Sequence, residues 1–307
     1  MTVLESAAPP AAPAAAEVGA SPPAPVREDE GPFPVRLAGT ALTILAVVML
    51  GFAAQFTVVG SLSHDRAQKV AYADFRAELA RATAPVGSPP ADSGTAVAIL
   101  SIPAIGMREV VFEGTTGKVL TGGPGHRRDT VLPGQAGVSI LMGRRAGYDG
   151  PFARVGELSR GDTVTVVTGQ GEHTYQVLGV RRAGEPQPPA PAAGEGRLTL
   201  ITGDGQAYVP VDVLRVDAKL TSPVQQTPPV AVATALLPAS EQVMGIDLIA
   251  LVPLVLWGEL LLAAALAVSW LRRRLSPWHA WLIGLPVLTV TGLLVAGAAT
   301  RLLPNLI

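Results

Sequence analysis

Few residues in this chain have side chains that could perform nucleophilic or acid–base chemistry. The chain has no cysteine, so thiolate catalysis, disulfide bonds and cysteine-ligated metal centres are excluded. The hydroxyls of Thr130 and Ser139 have no residue nearby in the sequence that could serve as a general base. His126 and His173 are the remaining candidates for proton transfer. We predict a locally hydrogen-bonded loop histidine for His126 and an exposed surface position for His173.

One acidic residue interrupts a long apolar run. Glu259 falls near the middle of residues 248–271, which otherwise carry no charged side chain. A charged side chain at the centre of a bilayer costs about 2.5–3.5 kcal/mol on insertion scales, so it usually faces protein, water or a partner. Two interpretations remain open. One is a partner-helix contact or proton site, and the other is a hydrogen bond within the chain to Thr289 or Thr291.

The composition indicates a membrane protein that does not bind nucleic acid. Of the 307 residues, 49% are hydrophobic and only 15% are charged, and the mean hydropathy is +0.38. The net charge is −1 and no region is strongly basic, which argues against nucleic acid as a partner. Three apolar runs are long enough for transmembrane helices, which need about 20 residues: 37–63, 248–271 and 278–303. Nothing in the sequence predicts a cofactor or a metal site.

The arginine distribution predicts the orientation in the membrane. Arg272, Arg273 and Arg274 lie in the short loop 272–277, and such loops are cytoplasmic when they are rich in arginine. Alternation of the three spans then places residues 64–246 outside the cytoplasm and the N-terminus inside. We therefore expect a multi-pass protein of the cell membrane.

The remaining segments are predicted from local patterns. Residues 95–221 alternate between apolar and polar residues, with glycine and proline between short runs, which indicates a barrel or sandwich of β-strands. The other three segments are expected to be a disordered Ala/Pro-rich tail, a helical stalk followed by a linker, and a second linker: 1–36, 64–94 and 222–247.

Four sequence strings of the β-segment resemble those of sortases, the cysteine transpeptidases that join proteins to bacterial cell walls. They are LSIPAIGMREVVFEGTT (100–116), LTGGPGHRRDTVLPGQAGVSILMGRRAGYDGPF (120–152), LSRGDTVTV (158–166) and LTLIT (198–202). The resemblance, to sortases of the class E and F type from high-GC Gram-positive bacteria, covers about Ala96–Leu220. It implies an eight-stranded β-barrel, here an ectodomain accompanied by three transmembrane α-helices.

The resemblance also implies that the catalytic positions are substituted. A sortase uses a cysteine thiolate as nucleophile, a histidine that exchanges a proton, and an arginine that stabilises the oxyanion or positions the substrate. The family histidine position is occupied here by Arg144, and the family cysteine position by Gly203. The family arginine aligns best with Val213. Arg215 lies two residues further on the same strand face, displaced by about 6–7 Å.

Side chains near these positions form a candidate binding groove. Arg144, Arg145 and Arg215, with Thr202 beside them in the sequence, could make the former active site an anion-binding groove. A guanidinium cannot act as a base but can bind a carboxylate or phosphate through two hydrogen bonds. Thr202 itself is expected to point away from residue 203, because neighbouring strand residues face opposite sides.

Three functions follow from these observations. The first is a catalytically inactive pseudo-sortase that binds a sorting-signal-like peptide, a cell-wall component or a membrane protein at the cell envelope. The second is an active transpeptidase or hydrolase with a non-cysteine nucleophile or with residues supplied by a partner. The third is a subunit of a membrane complex that acts through its helix hairpin and Glu259.

Overall fold

The computed structural model describes residues 49–230, 232–274 and 277–307. The predicted tail, 1–36, lies outside the described residues, as does 37–48 of the first predicted span. Residues 49–54 are α-helical, Gln55–Val59 form a π-helical turn, and helix α1 continues over Gly60–Ala80. A third membrane crossing over 37–63 therefore stays a prediction.

Eight strands close into a barrel, which confirms the predicted all-β core. They are β1 Ala96–Ile102, β2 Met107–Glu113, β3 Gly125–His126, β4 Gly137–Met142, β5 Thr163–Thr168, β6 Gly171–Arg181, β7 Gly196–Gln206 and β8 Val209–Leu220. Their order around the barrel is β1-β2-β3-β4-β7-β8-β6-β5. The β2–β3 and β4–β7 pairs are parallel, and the other pairs are antiparallel.

The barrel core follows from the two-residue period of its strands. Leu198 and Leu200 of β7 and Leu214 and Val216 of β8 belong to one buried cluster inside the barrel. Because successive side chains on a strand point to opposite faces, the residues between them face outward. Ile201 and Val213 accordingly belong to a separate cluster on the outside.

Helix α1 packs along the barrel, whereas a projecting stalk was predicted. Its Phe75 is fully buried against Ile99 and Val110. The Gln68 amide nitrogen donates to the Val110 carbonyl at 3.1 Å. Val70, on the same helix, is exposed. The buried residues of α1 recur at helical spacing and therefore lie on one face. Their apolar contacts with β1 and β2 hold the helix on the barrel, although the charged residues between them favour a solvent-exposed stalk.

Residues 222–230 and 232–247 contain short 3-10 turns and pack on the barrel, where a linker was predicted. The Gln225 N–H donates to the Gly134 carbonyl at 2.8 Å. Glu241 is buried, and its carboxylate accepts hydrogen bonds from the Arg128 guanidinium. A carboxylate is buried at acceptable cost only when it is paired, so the ion pair with Arg128 holds this segment against the barrel.

Two long helices follow, α2 over Leu251–Arg274 and α3 over Pro277–Thr300. Among the described residues, two stretches are long and apolar enough to cross a membrane, Leu248–Val268 and Leu282–Thr300. Most of their large apolar side chains are exposed, as expected for helices that face lipid. The helices pack closely, because a Cβ added to Gly284 would lie 2.7 Å from Val268 Cγ1.

Candidate functional site

The predicted catalytic positions meet on the outer faces of β4, β7 and β8. In the strand register, Gly203 is opposite Val213, and Ile201 is opposite both Met142 and Arg215. We call the surface formed there by four side chains the outer cleft: Leu120, Met142, Ile201 and Val213. The strand period therefore brings the predicted cysteine and arginine positions to one face.

The outer cleft is filled by the chain's own C-terminal segment, Asn305–Ile307. Leu306 is fully buried among the four cleft side chains, and Ile307 packs on Phe56 and Tyr148. The Arg145 N–H donates to the Leu306 carbonyl at 3.0 Å. No role for this segment was predicted from the sequence. The return of apolar residues after Pro304, beyond the end of the span, was the available signal.

Gly203 lies at the edge of this filled surface. A Cβ added there would be 2.9 Å from Pro210 Cβ and 3.5 Å from the Leu306 carbonyl oxygen. The Gly203 carbonyl accepts a hydrogen bond from the Arg145 guanidinium at 3.0 Å. The position has no nucleophilic side chain, and the surrounding atoms leave little room for one.

Arg144 is the largest fully buried side chain of the described residues. Its Nη1 donates to the Ile307 main-chain oxygen at 2.6 Å, and its Nη2 donates to the Gly117 carbonyl at 3.0 Å. Its guanidinium carbon lies 5.2 Å from the centre of the Tyr148 ring. Burial lowers the pKa of Arg144 to about 10, so the group stays protonated near pH 7. It cannot serve as a general base.

The prediction of an open anion-binding groove is therefore wrong. The groove was to be formed by four side chains: Arg144, Arg145, Thr202 and Arg215. The Arg144 guanidinium is committed to main-chain oxygens, and Arg145 is half-buried. Thr202 is fully buried, and its hydroxyl donates to the Gly143 carbonyl at 2.9 Å. It lies on the face opposite Gly203, as the strand period predicts. Arg215 is on the outer face, in register with Ile201 and with Arg181 of β6.

The sequence comparisons agree with this fold. Residues 100–215 match the family model described as Sortase domain. Sortase D of Bacillus subtilis (strain 168) is 37% identical over 87 residues, which are 28% of this chain and 42% of that protein. The matched part thus spans less than half the length of that relative.

Solved sortase structures also align with the chain. A Sortase D5 transpeptidase of Clostridium perfringens aligns at 20% identity with a TM-score of 0.43, over 53% of this chain and 100% of that chain. Sortase E1 from Streptomyces coelicolor aligns at 20% identity with a TM-score of 0.38, over 48% of this chain and 99% of that chain.

In the barrel, the side chains of Thr130, His126 and Glu113 lie within hydrogen-bond distance of one another in that order. This arrangement was missed from the sequence. Thr130 Oγ1 lies 3.2 Å from His126 Nε2, and His126 Nδ1 lies 2.9 Å from Glu113 Oε2. We had found no base near Thr130, although His126 is only four residues away. Glu113 is adjacent because the parallel β2–β3 register sets it opposite His126.

The hydrogen-bond directions in this row do not suit a nucleophile and its base. His126 Nε2 is 3.0 Å from the Val131 carbonyl, which can only accept, so this nitrogen carries a proton. The Thr130 hydroxyl donates to the Arg127 carbonyl at 2.7 Å. A protonated Nε2 cannot take the threonine proton. The arrangement fits a buried structural histidine. His126 was predicted to lie in a loop, but it is the second residue of β3.

The side chains of two other candidate catalytic residues, Ser139 and His173, point into the interior of the barrel. Ser139 is buried, and its hydroxyl has no hydrogen-bond partner among the described residues. His173 is fully buried, so the predicted surface position is wrong. Its Nε2 lies 3.0 Å from Thr168 Oγ1, and burial lowers its pKa. The alternation of β6 carries the missed signal, because His173 shares a face with the core residue Tyr175.

Glu259 faces away from the helix hairpin. It is exposed on α2 and lies near the middle of the span Leu248–Val268. The Thr291 hydroxyl donates to its own helix, at the Val287 carbonyl. Within the described residues, neither Thr289 nor Thr291 bonds to Glu259, so this carboxylate is free to meet a lipid or a partner.

Proposed function

We propose that this protein is a membrane-anchored, extracytoplasmic pseudo-sortase that acts as a binding or scaffold module at the cell envelope. The observations that carry the proposal are the residue types and contacts at positions 203 and 144, which we align with the sortase cysteine and histidine. Gly203 has no side chain to attack a peptide carbonyl, and the buried Arg144 donates both its Nη groups to main-chain oxygens. Transpeptidation needs a nucleophile and a proton-transfer group, and this cleft lacks both.

The orientation is part of the same proposal. Two apolar spans support anchoring in the membrane, and the three arginines that end α2 favour the cytoplasmic side for the junction between the helices. The α3 end joins the barrel, since the hydroxyls of Tyr148 and Thr300 are 2.9 Å apart. The barrel would then stand outside the cytoplasm, where a sorting-signal-like peptide or a cell-wall component is available as a ligand.

The full chain in detergent tests the absence of catalysis. It is incubated with peptides of the Leu-Pro-x-Thr-Gly type and an amine acceptor, and mass spectrometry follows cleavage and transfer. A cysteine-containing sortase is the positive control. We expect no product. Cleavage would overturn the proposal, and the Thr130→Val and Ser139→Ala variants would then locate the nucleophile required by the rival enzyme hypothesis.

A second candidate function rests on the exposed Glu259. In this alternative the helix hairpin binds another membrane protein, because a partner's polar side chain would reduce the cost of a carboxylate in the bilayer. Chemical cross-linking in membranes tests it. Loss of a cross-linked complex in Glu259→Gln, with the complex retained in Arg145→Gln, would favour the hairpin. The opposite pattern would favour the barrel.

A further inference from the structure

The side chain of Asn305 occupies a socket built from carbonyl oxygens. Its Nδ2 donates to the Thr115 carbonyl at 2.8 Å and to the Gln242 carbonyl at 2.9 Å. Its main-chain N–H donates to the Gly245 carbonyl at 3.0 Å. The side chain is fully buried. An amide supplies two N–H donors at one nitrogen, whereas aspartate would set a carboxylate against two acceptors. The socket therefore selects asparagine over aspartate.

The next position is an apolar pocket. Leu306 is fully buried, and its carbonyl is held by the Arg145 N–H at 3.0 Å. The pocket is lined by the four outer-cleft residues: Leu120, Met142, Ile201 and Val213. Burial of a leucine side chain is favourable because it removes apolar surface from water. This pocket supplies affinity for an aliphatic residue directly after the asparagine.

The third position combines an apolar surface with a cation. Ile307 packs on Phe56 and Tyr148, and its main-chain oxygen accepts from Arg144. The Arg144 guanidinium is fully buried, and buried charges are normally paired. Arg144 would therefore favour a carboxylate over a neutral carbonyl at this position.

The occupying segment is attached in a way that permits its release. Helix α3 ends at Thr300, and only Arg301–Pro304 connect it to Asn305. The segment belongs to none of the eight strands, so its departure breaks no strand pairing. Closing so short a connection keeps the segment near the cleft, and a competing peptide must overcome that proximity.

We propose that the outer cleft is a peptide-recognition site for asparagine followed by two aliphatic residues and a carboxylate. In this chain Asn305–Ile307 occupies the site, and it exchanges with a peptide of the same chemistry from a partner protein. The inference rests on the proposed non-catalytic role, since it assigns to the cleft a bound peptide that is held and not cleaved.

Thiol labelling of the full chain tests the occupancy. Because the chain has no cysteine, Leu306→Cys introduces a single thiol, and Val211→Cys, at a position 83% exposed, is the matched control. We expect the Leu306→Cys thiol to react with a maleimide at least about tenfold more slowly, as buried sites do when they open only transiently. Equal rates in two variants that both retain the wild-type melting temperature would overturn the occupancy.

Added peptides test the exchange. The peptide Leu-Leu-Pro-Asn-Leu-Ile with a free carboxylate should accelerate labelling of the Leu306→Cys thiol in a concentration-dependent way. The same peptide with Asp in place of Asn should have no effect, and its C-terminal amide should act more weakly. If no peptide changes the rate, or if all three act equally, the recognition proposal is wrong.

Mass spectrometry of the same samples separates the two proposals. Peptide cleavage would refute the pseudo-sortase role, whatever the labelling rates. Intact peptides with unchanged labelling would refute only the recognition site.

Discussion

Arg144 Nη1 lies 2.6 Å from the main-chain oxygen of Ile307, a residue 163 positions further along the chain. This contact joins a residue just beyond β4 to the segment that follows helix α3. The buried guanidinium thereby anchors the chain's own backbone. Four predictions about the contacts around it and around the barrel follow.

Asn305→Asp should destabilise the folded barrel strongly at neutral pH. The new carboxylate would face the Thr115 and Gln242 carbonyls, which now accept from the amide. An uncompensated buried charge costs about 3–5 kcal/mol, against about 1–3 kcal/mol for the unmade bonds in Asn305→Ala. Thermal unfolding in detergent measures both. Lower pH should restore part of the Asp variant's stability, because burial raises a carboxyl pKa. Equal losses at all pH values would contradict this.

His64 should make docking of α1 depend on pH. Burial lowers the pKa of His64, but Glu109, whose Oε2 is 3.1 Å from Nε2, raises it together with Asp149 and a hydrogen bond to the Thr121 backbone, and the net pKa is raised. The stabilisation is therefore fully present below the unfolded pKa of about 6.5, and it is lost as pH rises through the folded-state pKa. The melting temperature of the wild type relative to His64→Gln should fall as the pH rises above about 6.5.

The difference in melting temperature between the wild type and His64→Gln separates the effect of His64 from that of a second histidine, His173. Burial lowers the pKa of His173, so His173 opposes folding as the pH falls, in the wild type and the variant alike. A constant difference between their melting temperatures across this range would mean that His64 does not titrate with folding.

His126→Leu should reduce stability without any catalytic consequence. It leaves the buried Glu113 carboxylate without the imidazole that now lies 2.9 Å away. Breaking a buried pair costs about 3–5 kcal/mol. Arg154→Gln is the control, because the Arg154–Glu157 pair is exposed and such pairs contribute about 1 kcal/mol or less. Chemical denaturation compares them. A similar small loss in both variants would show that the buried pair contributes little.

Gly169→Ala should distort the turn between β5 and β6. An added Cβ would lie 2.8 Å from each of the carbonyl oxygens of Ala84 and Pro85. Overpacking of this kind costs about 1–3 kcal/mol. Gly179→Ala is the matched control on β6, because nothing lies within 4 Å of its added Cβ. The difference in melting temperature between the two variants measures the close approach, and equal values would argue against it.

The barrel could be predicted from the sequence because its signals are local. The alternation in β5 and β6 and the turn residues between them specify a hairpin without reference to the rest of the chain. The same alternation correctly predicted that Thr202 and Gly203 face opposite sides of β7. Applied to His173, it would have placed that residue in the core beside Tyr175, so this error came from the interpretation and not from the pattern.

The candidate site could be predicted only in part. Strings of neighbouring residues that resemble sortases pointed to positions 144 and 203, whose match to the family histidine and cysteine stays a prediction. Whether Arg144 faced solvent, an anion or protein depended on a segment more than 150 positions away. Glu241, which pairs with Arg128 from a predicted linker, was missed for the same reason.

The sequence by itself determined the alternating strands, the apolar spans, the absence of cysteine and the residue types at positions 144 and 203. Only the tertiary structure decided that α1 lies along the barrel, that Glu259 faces outward and that Asn305–Ile307 fills the outer cleft. The physical reason is the separation along the chain over which each kind of interaction acts. Periodicity and residue type act over a few neighbouring residues, whereas the partner of a buried charge or an apolar pocket is chosen by the packing of segments far apart in the chain.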